Sequence, residues 1–263
     1  MDREYMEKPV TLHTIFEARY ERGYRYLDRC GDVMVLLESL LGDAVGEPWW
    51  PDEMTPTRAK ISCPALDIVV SFDAYRMNVE STSNVEGVDF PDICQLVLST
   101  IVNRFDLQSF TRLGYRRIFG VIADSIEDAD KLSAKHSPCS NWPQGIPSGF
   151  SLVSSEVANV FEDTERSRGW RLSLGPSNKP DAPLQVDERL KLPARYLATG
   201  QREALLERLK RQRANSKDPL ACLKIDIDFY IFRPDEPDPK EFIAWAETLE
   251  ETLQQSAIRS INR

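Results

Sequence analysis

Residues 220–232 read Leu220-Ala221-Cys222-Leu223-Lys224-Ile225-Asp226-Ile227-Asp228-Phe229-Tyr230-Ile231-Phe232. Successive side chains of a strand point to opposite faces. Leu223, Ile225, Ile227, Phe229 and Ile231 therefore share one face, and Asp226 and Asp228 project side by side from the other. This is a half-buried strand. Asp238-Pro239-Lys240-Glu241 follows, with an N-cap aspartate, a proline at the first helical position and a glutamate at the third. Phe242, Trp245, Ala246, Leu249 and Leu253 then recur at helical spacing. Glu247, Glu250 and Glu251 are expected to face water on the back of that helix.

The same reading carried outward gives a mixed order of strands and helices. Residues 11–20 alternate as a strand. Asp32 opens a helical stripe of Val33, Leu36, Leu37, Leu40 and Leu41 that Gly42 closes. Glu47-Pro48-Trp49-Trp50-Pro51 reads as a loop, and strands are expected near 57–63 and 65–79. Asp89 and Pro91 open a helix over 91–107, with Ile93, Val97, Ile101 and Phe105 as its stripe. A strand over 111–122, a short helix over 125–134, a Pro-rich loop over 135–150 and a hairpin over 152–174 follow. A polar insertion near 176–219 contains a charged helix over 201–213. Short connections between strands favour antiparallel pairing, and the mixed order favours α+β over a doubly wound sheet. The expectation is a mainly antiparallel α+β fold of two related sheet-plus-helix units, 1–109 and 110–263, of ferredoxin-like or helix-grip type. Internal duplication would explain their similar order, and the units are also expected to be able to behave as one compact domain.

Composition bounds the function. The chain has 263 residues, 41% of them hydrophobic and 29% charged, with a formal net charge of -9. That is a globular composition, and the net charge opposes broad binding to phosphate backbones. No apolar run approaches the ~18 residues that cross a bilayer, and the charged N-terminus lacks a signal-peptide core. Five cysteines at wide spacing include no C-x-x-C, so reduced thiols in a cytoplasm are expected. Walker A, G-x-G-x-x-G, G-x-S-x-G, H-E-x-x-H and EF-hand patterns do not occur in the sequence.

Several residues carry candidate chemistry. Asp226 and Asp228, adjacent on one strand face, are the arrangement that holds Mg2+ or Mn2+ in nucleotidyl-transferring sites; the alternative is a solvated or arginine-paired face. Arg112, Gly114 and Arg116 share a face of the 111–122 strand. If that strand lies beside the Asp226/Asp228 strand, cross-strand ion pairs follow. Otherwise the Gly114 gap admits an anion. His136 and Cys139 lie three apart in the Pro-rich loop, and His13 sits on the first strand. Arg208, Lys210, Arg211 and Arg213, with Lys217, make the 202–217 stretch locally basic, suited to nucleic acid, to an acidic partner or simply to solvent. Trp49 and Trp50 are either core plugs or an exposed anchor for a protein partner.

Three features together resemble a known family: an opening strand followed by a helix, Arg112-Leu113-Gly114-Tyr115-Arg116-Arg117-Ile118, and Leu223-Lys224-Ile225-Asp226-Ile227-Asp228-Phe229 before a last amphipathic helix. The family is a sporadically distributed set of uncharacterised bacterial proteins of similar length. Its typical pattern is an Arg-Leu-Gly-x-Arg-Tyr-x-Asn strand and a late Asp-x-Asp strand. Arg117 and Phe119 stand where that pattern has an aromatic and an asparagine. The resemblance implies no defined activity and suggests mobile or defence-associated gene sets. The expected function is accordingly a non-enzymatic interaction protein, a cytoplasmic subunit or adaptor with a protein partner and no cofactor. The alternatives are a divalent-metal enzyme acting on nucleotides or nucleic acid through Asp226 and Asp228, and a nucleic-acid-binding module using the basic helix.

Overall fold

A computed structural model of the chain describes residues 9–82, 88–136, 157–179, 188–193, 195, 197–215 and 220–261. Its fold is α+β, with a nine-stranded antiparallel sheet and five α-helices among the described residues. The strands are β1 (Val10–Tyr20), β2 (Trp50–Thr55), β3 (Arg58–Cys63), β4 (Ile68–Phe72), β5 (Arg76–Ser81), β6 (Phe110–Ile122), β7 (Val157–Asp163), β8 (Arg168–Lys179) and β9 (Leu220–Phe232). They lie in the order β2-β3-β4-β5-β1-β6-β9-β8-β7. The helices are α1 (Tyr26–Val45), α2 (Phe90–Phe105), α3 (Ile126–His136), α4 (Gln201–Asn215) and α5 (Pro239–Ile261).

The two halves share one sheet, joined where β1 pairs with β6. Outward from that junction, β5, β4 and β3 follow β1, while β9, β8 and β7 follow β6, and β2 is extra. This likeness is one of order, and order alone does not carry common descent of the halves. Both β1 and β6 present an alternating face. Phe16, Ala18 and Tyr20 on β1 and Leu113, Tyr115 and Phe119 on β6 are buried, with Leu223, Ile225, Ile227 and Phe229 of β9 completing the floor. Helices α1, α2, α3 and α5 close over that floor, contributing among others Leu37, Ile101, Leu132 and Ile243. The opposite, outer face of the central strands carries the charged residues. None of the helices among the described residues is long and apolar enough to cross a membrane.

Local signals explain most boundaries. Asp238 accepts hydrogen bonds from the Lys240 and Glu241 N–H groups at 2.9 and 3.1 Å, so the expected cap starts α5. Asp89 accepts from the Asp92 N–H at 3.1 Å and starts α2. The first helix differs from its reading. It begins at Tyr26, whose hydroxyl donates to the Thr55 carbonyl at 2.6 Å and whose ring meets Phe72 and Phe105 edge-on. Asp32 is an interior residue, 3.5 Å from Arg29. Gly42 is interior too, and the stop is Gly46 at φ +70°, where only glycine is unstrained.

The stretch read as one strand over 65–79 is two strands. The Asp73 carboxylate accepts from the N–H groups of Tyr75 and Arg76 at 2.7 and 3.0 Å, folding a side-chain-stabilised turn between β4 and β5. The segment 47–51 was expected to be all loop, but Trp50 and Pro51 enter β2. Proline is tolerated there because β2 is an edge strand with a bulge after Pro51. The segment 135–150 was expected as a Pro-rich loop; His136 instead ends α3, and residues 137–150, Cys139 included, lie outside the described residues.

On α5, Phe242 is buried and Trp245 is half-buried, held edge-on to Phe229 and stacked on Phe242 with Arg168 over its ring. Phe105 is buried as expected. Phe229 is wholly enclosed at the centre of the floor. Phe229→Ala is therefore expected to cost about 3–5 kcal/mol and Trp245→Ala less, with urea unfolding as the measurement.

Candidate functional site

The outer face of β1, β6, β9 and β8 holds the Arg and Asp residues that the sequence singles out. Pairing of β6 with β9 places Arg116 opposite Asp228 and Ile118 opposite Asp226. Both arginines lean along their strand and engage a carboxylate diagonally. Arg116 donates from Nε and Nη2 to the two oxygens of Asp226 at 2.8 and 2.6 Å. Arg112 donates from Nη2 to both oxygens of Asp228 at 2.9 and 2.8 Å, and from Nη1 to Glu17 of β1 at 2.7 Å. Glu17 also accepts from Arg19 Nε at 2.8 Å. The chain Arg19–Glu17–Arg112–Asp228 thus crosses three adjacent strands.

Gly114 makes this possible. A Cβ at that position would stand 2.4 Å from Arg112 Nη1, so the guanidinium lies across the glycine. The gap in the strand face is filled by Arg112 rather than left for an anion. Tyr230, whose ring centroid is 5.6 Å from the Arg112 guanidinium, flanks it and donates its hydroxyl to Glu162 at 2.9 Å. Burial raises the Asp228 carboxyl even beside Arg112, while hydrogen bonding to Asp226 raises Arg116 further.

Asp226 is gripped by the two-nitrogen fork of Arg116 and Asp228 by Nη2 of Arg112, and a divalent cation there would have to displace both. Among the described residues, no group of three or more His, Cys, Asp or Glu is arranged to hold a metal ion.

Beside these ion pairs lies a hollow of about 250 Å³, bounded by Ile15, Glu17, Arg19, Asn78, Glu80, Arg112, Gly114, Arg116 and Asp228. A second, of about 220 Å³, adjoins it through Asn78 and Glu80 and adds Arg58, Asp73 and Arg76. His13 lies 3.7 Å from Glu80 and holds that carboxyl below its ordinary value. A larger hollow of about 410 Å³ lies between α1 and α2. Ser99 and Thr100 on its wall donate to the carbonyl of Leu96 in their own helix, so these two hydroxyls are already engaged.

The other candidates resolve differently. Trp49 and Trp50 are 2% and 5% exposed; they are core plugs, and the exposed-anchor reading falls. The basic helix α4 turns two of its arginines inward. Arg208 lies 3.0 Å from Asp67, in the turn between β3 and β4, and Arg211 lies 3.6 Å from the same carboxylate while donating to the Pro64 carbonyl. Lys210 pairs with Glu207 in its own helix. Arg189, in the short 3₁₀ turn Glu188–Lys191, pairs with Asp52. Arg208 and Arg211 thus seat α4 on the β2–β4 end of the sheet, engaged with Asp67 and the Pro64 carbonyl. The side chain of Arg213 and all of Lys217 lie outside the described residues.

A second charged cluster sits between β6 and α5, where none was expected. Arg117 points into the helix layer, donating to the Tyr115 hydroxyl at 2.8 Å and to Thr11 Oγ1 at 3.3 Å. Tyr115 donates in turn to Glu247 at 3.2 Å. Arg117 lies 3.7 Å from both Glu247 and Glu250. Glu250 is buried under α5 rather than in water. Burial dominates over the attraction of Arg117 and pushes its carboxyl up to about 7, with Glu247 and Glu251 adding to the rise.

The chain matches no known protein-family model, and no curated protein matches it in sequence.

Two outcomes follow from these geometries. Gly114→Ala should displace the Arg112 guanidinium and cost about 1–3 kcal/mol, the range for disrupting charged hydrogen bonds. In an Arg112→Ala background the same change should be nearly neutral, a non-additivity that a double-mutant cycle by urea unfolding measures. For Glu250, the folded state binds the proton more tightly than the unfolded chain. Its contribution is therefore complete below about pH 4.5 and is lost as pH climbs to about 7. Relative to Glu250→Gln, the wild type should lose up to ~3 kcal/mol over that window and nothing more above it, as read by denaturant unfolding across pH.

Proposed function

We propose that the protein is a non-enzymatic interaction protein, a subunit or adaptor whose protein partner docks on the outer face of the sheet. The observation that supports this most is the preorganisation of that face. Helices occupy the opposite side of the central strands, and on the outer side one continuous chain of ion pairs fixes Arg19, Glu17, Arg112 and Asp228 across β1, β6 and β9. Side chains already locked in place lose little rotamer freedom when a partner arrives, which favours specific docking. Asp226 and Asp228 serve in this reading as counter-charges that hold the arginines. The family resemblance belongs to the same proposal: the Arg-Leu-Gly-x-Arg strand and the late Asp-x-Asp strand would be the two halves of this ion-pair lattice. The system would be a bacterial, defence-associated set of cytoplasmic proteins.

The test is purification of the tagged full chain from its own host with neighbouring genes intact, followed by reconstitution of the complex from its purified parts. Arg171 of β8 is exposed and lies opposite Asp228 in register; reactivity of Arg19, Arg116 and Arg171 toward phenylglyoxal, read by peptide mass mapping, reports on the face. The partner is expected to be stoichiometric and to shield these arginines. A chain recovered alone in repeated preparations, or a complex that leaves all three as reactive as in the free protein, overturns the proposal.

A further inference from the structure

The two edges of the sheet are finished differently. At one end β2 carries Pro51 with a bulge after it, and Asp52 is tied to Arg189 of the 3₁₀ turn. A proline and a bulge keep another strand from adding there. At the other end β7 has β8 as its one sheet neighbour among the described residues. Its seven residues, Val157–Asp163, pair with β8 without a bulge and include no proline and no lysine. The backbone donors and acceptors along its outer edge are therefore placed to receive a further strand. Two large apolar side chains are exposed on it, Val160 at 59% and Phe161 at 47%. They point to opposite faces. Phe161 lies opposite Trp170 and stacks on it with ring centroids 3.9 Å apart, on the face that carries Phe229. Val160 lies opposite Arg171 on the outer face.

We infer that β7 is a self-association edge: two copies of the chain pair their β7 strands antiparallel about a twofold axis, doubling the nine-stranded sheet. Charge and register favour a second copy over a foreign segment. The two carboxylates of β7 are answered within the chain. Glu162 accepts from the Tyr230 hydroxyl at 2.9 Å, and Asp163 lies 3.9 and 3.7 Å from Arg166 and Arg168. The edge thus offers no unanswered charge to draw in a basic or acidic segment, and it matches a strand neutralised in the same way. Opposite residues of an antiparallel pair share a face, so a twofold axis through the sheet must set one residue against its own copy. Val160 is the middle residue of the strand, and pairing about it uses the strand's full length. Asn159 then stands opposite Phe161, Ala158 opposite Glu162 and Val157 opposite Asp163, so no carboxylate meets another. Val160 meets its own copy on the outer face. On the other face the two Phe161 positions become diagonal neighbours, about 7–8 Å apart and within aromatic reach. They continue the Phe161–Trp170 stack of each copy, and both exposed side chains of β7 are covered.

A strand pair of this length is small beside the ~1,600 Å² of standard interfaces, so the association should depend on concentration in the micromolar range. The measurement is sedimentation equilibrium of the full chain, with hydrogen exchange reading the β7 amides. Dimer should rise with concentration, and those amides should exchange more slowly in it. Val160→Lys sets like charges face to face on the twofold axis and should weaken dimerisation about tenfold or more. The position is exposed, so the fold does not depend on the valine. Val160→Cys gives a geometric readout. Its two copies stand directly opposite and should cross-link on oxidation. Ala158→Cys, about 13 Å along the strand from its own copy, should not cross-link above the wild-type level. The inference is overturned by a chain that stays monomeric at millimolar concentration, by a dimer that Val160→Lys leaves intact, or by equal cross-linking of the two cysteine variants. Protection of the β7 amides only when another protein is added, with the chain alone monomeric, also overturns it and assigns the edge to a foreign strand.

Discussion

Strand β6 has to satisfy two environments at once, and the rest of the molecule is arranged around that requirement. It is the central strand of the junction, hydrogen-bonded to β1 on one side and β9 on the other. Leu113, Tyr115 and Phe119 must enter the helix layer while Arg112 and Arg116 stay outside. The side-chain period of two permits this in one register only. A slip of one residue against β9 would send Asp226 and Asp228 into the floor occupied by Ile225, Ile227 and Phe229, at the cost of burying unpaired charge. Apolar burial on one face and ion pairing on the other therefore select the same register.

The exception to this division is Arg117, which belongs to the buried face by position yet carries a charge. Its surroundings show how the fold accommodates it. The Phe119 ring centroid lies 5.1 Å from the guanidinium, Tyr115 accepts a hydrogen bond, and Glu247 and Glu250 of α5 supply the opposite charge. A buried ion pair contributes little net stability relative to apolar packing, but removing one partner leaves an expensive charge behind. The cluster thereby makes the seating of α5 on β6 specific: another rotation of the helix would withdraw Glu250 from Arg117 and leave the arginine facing hydrocarbon.

Much of this was legible in the chain, and the parts that were not share a physical reason. The alternation of β9, the capped start of α5 and the Arg112/Gly114/Arg116 face are local patterns, and local patterns declare themselves within a few residues. That β6 lies beside β9 was only conditional, since neighbour relations in a sheet are long-range. Glu17 shows the limit. Its outward position on β1 was readable, but its contact is with Arg112, a partner separated by 95 residues. The inward turn of Arg208 and Arg211 was hidden for the same reason. A basic helix with one well-buried leucine, Leu205, reads as solvated until Asp67 is known to stand beneath it. Glu250 falls on the helix back by periodicity. Its burial beside Arg117, on another element, is a long-range relation that periodicity does not carry.

These long-range pairs also change what the paired aspartates signify. Two carboxylates at i and i+2 on a strand form a geometric motif that metal sites and ion-pair lattices share, and the motif alone cannot choose between them. The choice is made by the neighbouring strand. β6 supplies a guanidinium to each aspartate, and Gly114 is the detail that lets the second one arrive, since any side chain there would meet Arg112 on its way to Asp228. A strand that kept the carboxylates available for a cation would need neither the glycine nor two arginines at that spacing. Arginine, glycine and aspartate are therefore parts of one device, in which paired charges fix one another's positions across adjacent strands. The face presents charges of both signs: Arg116 stands over Asp226, whereas Asp228 is more exposed than the Arg112 that holds it.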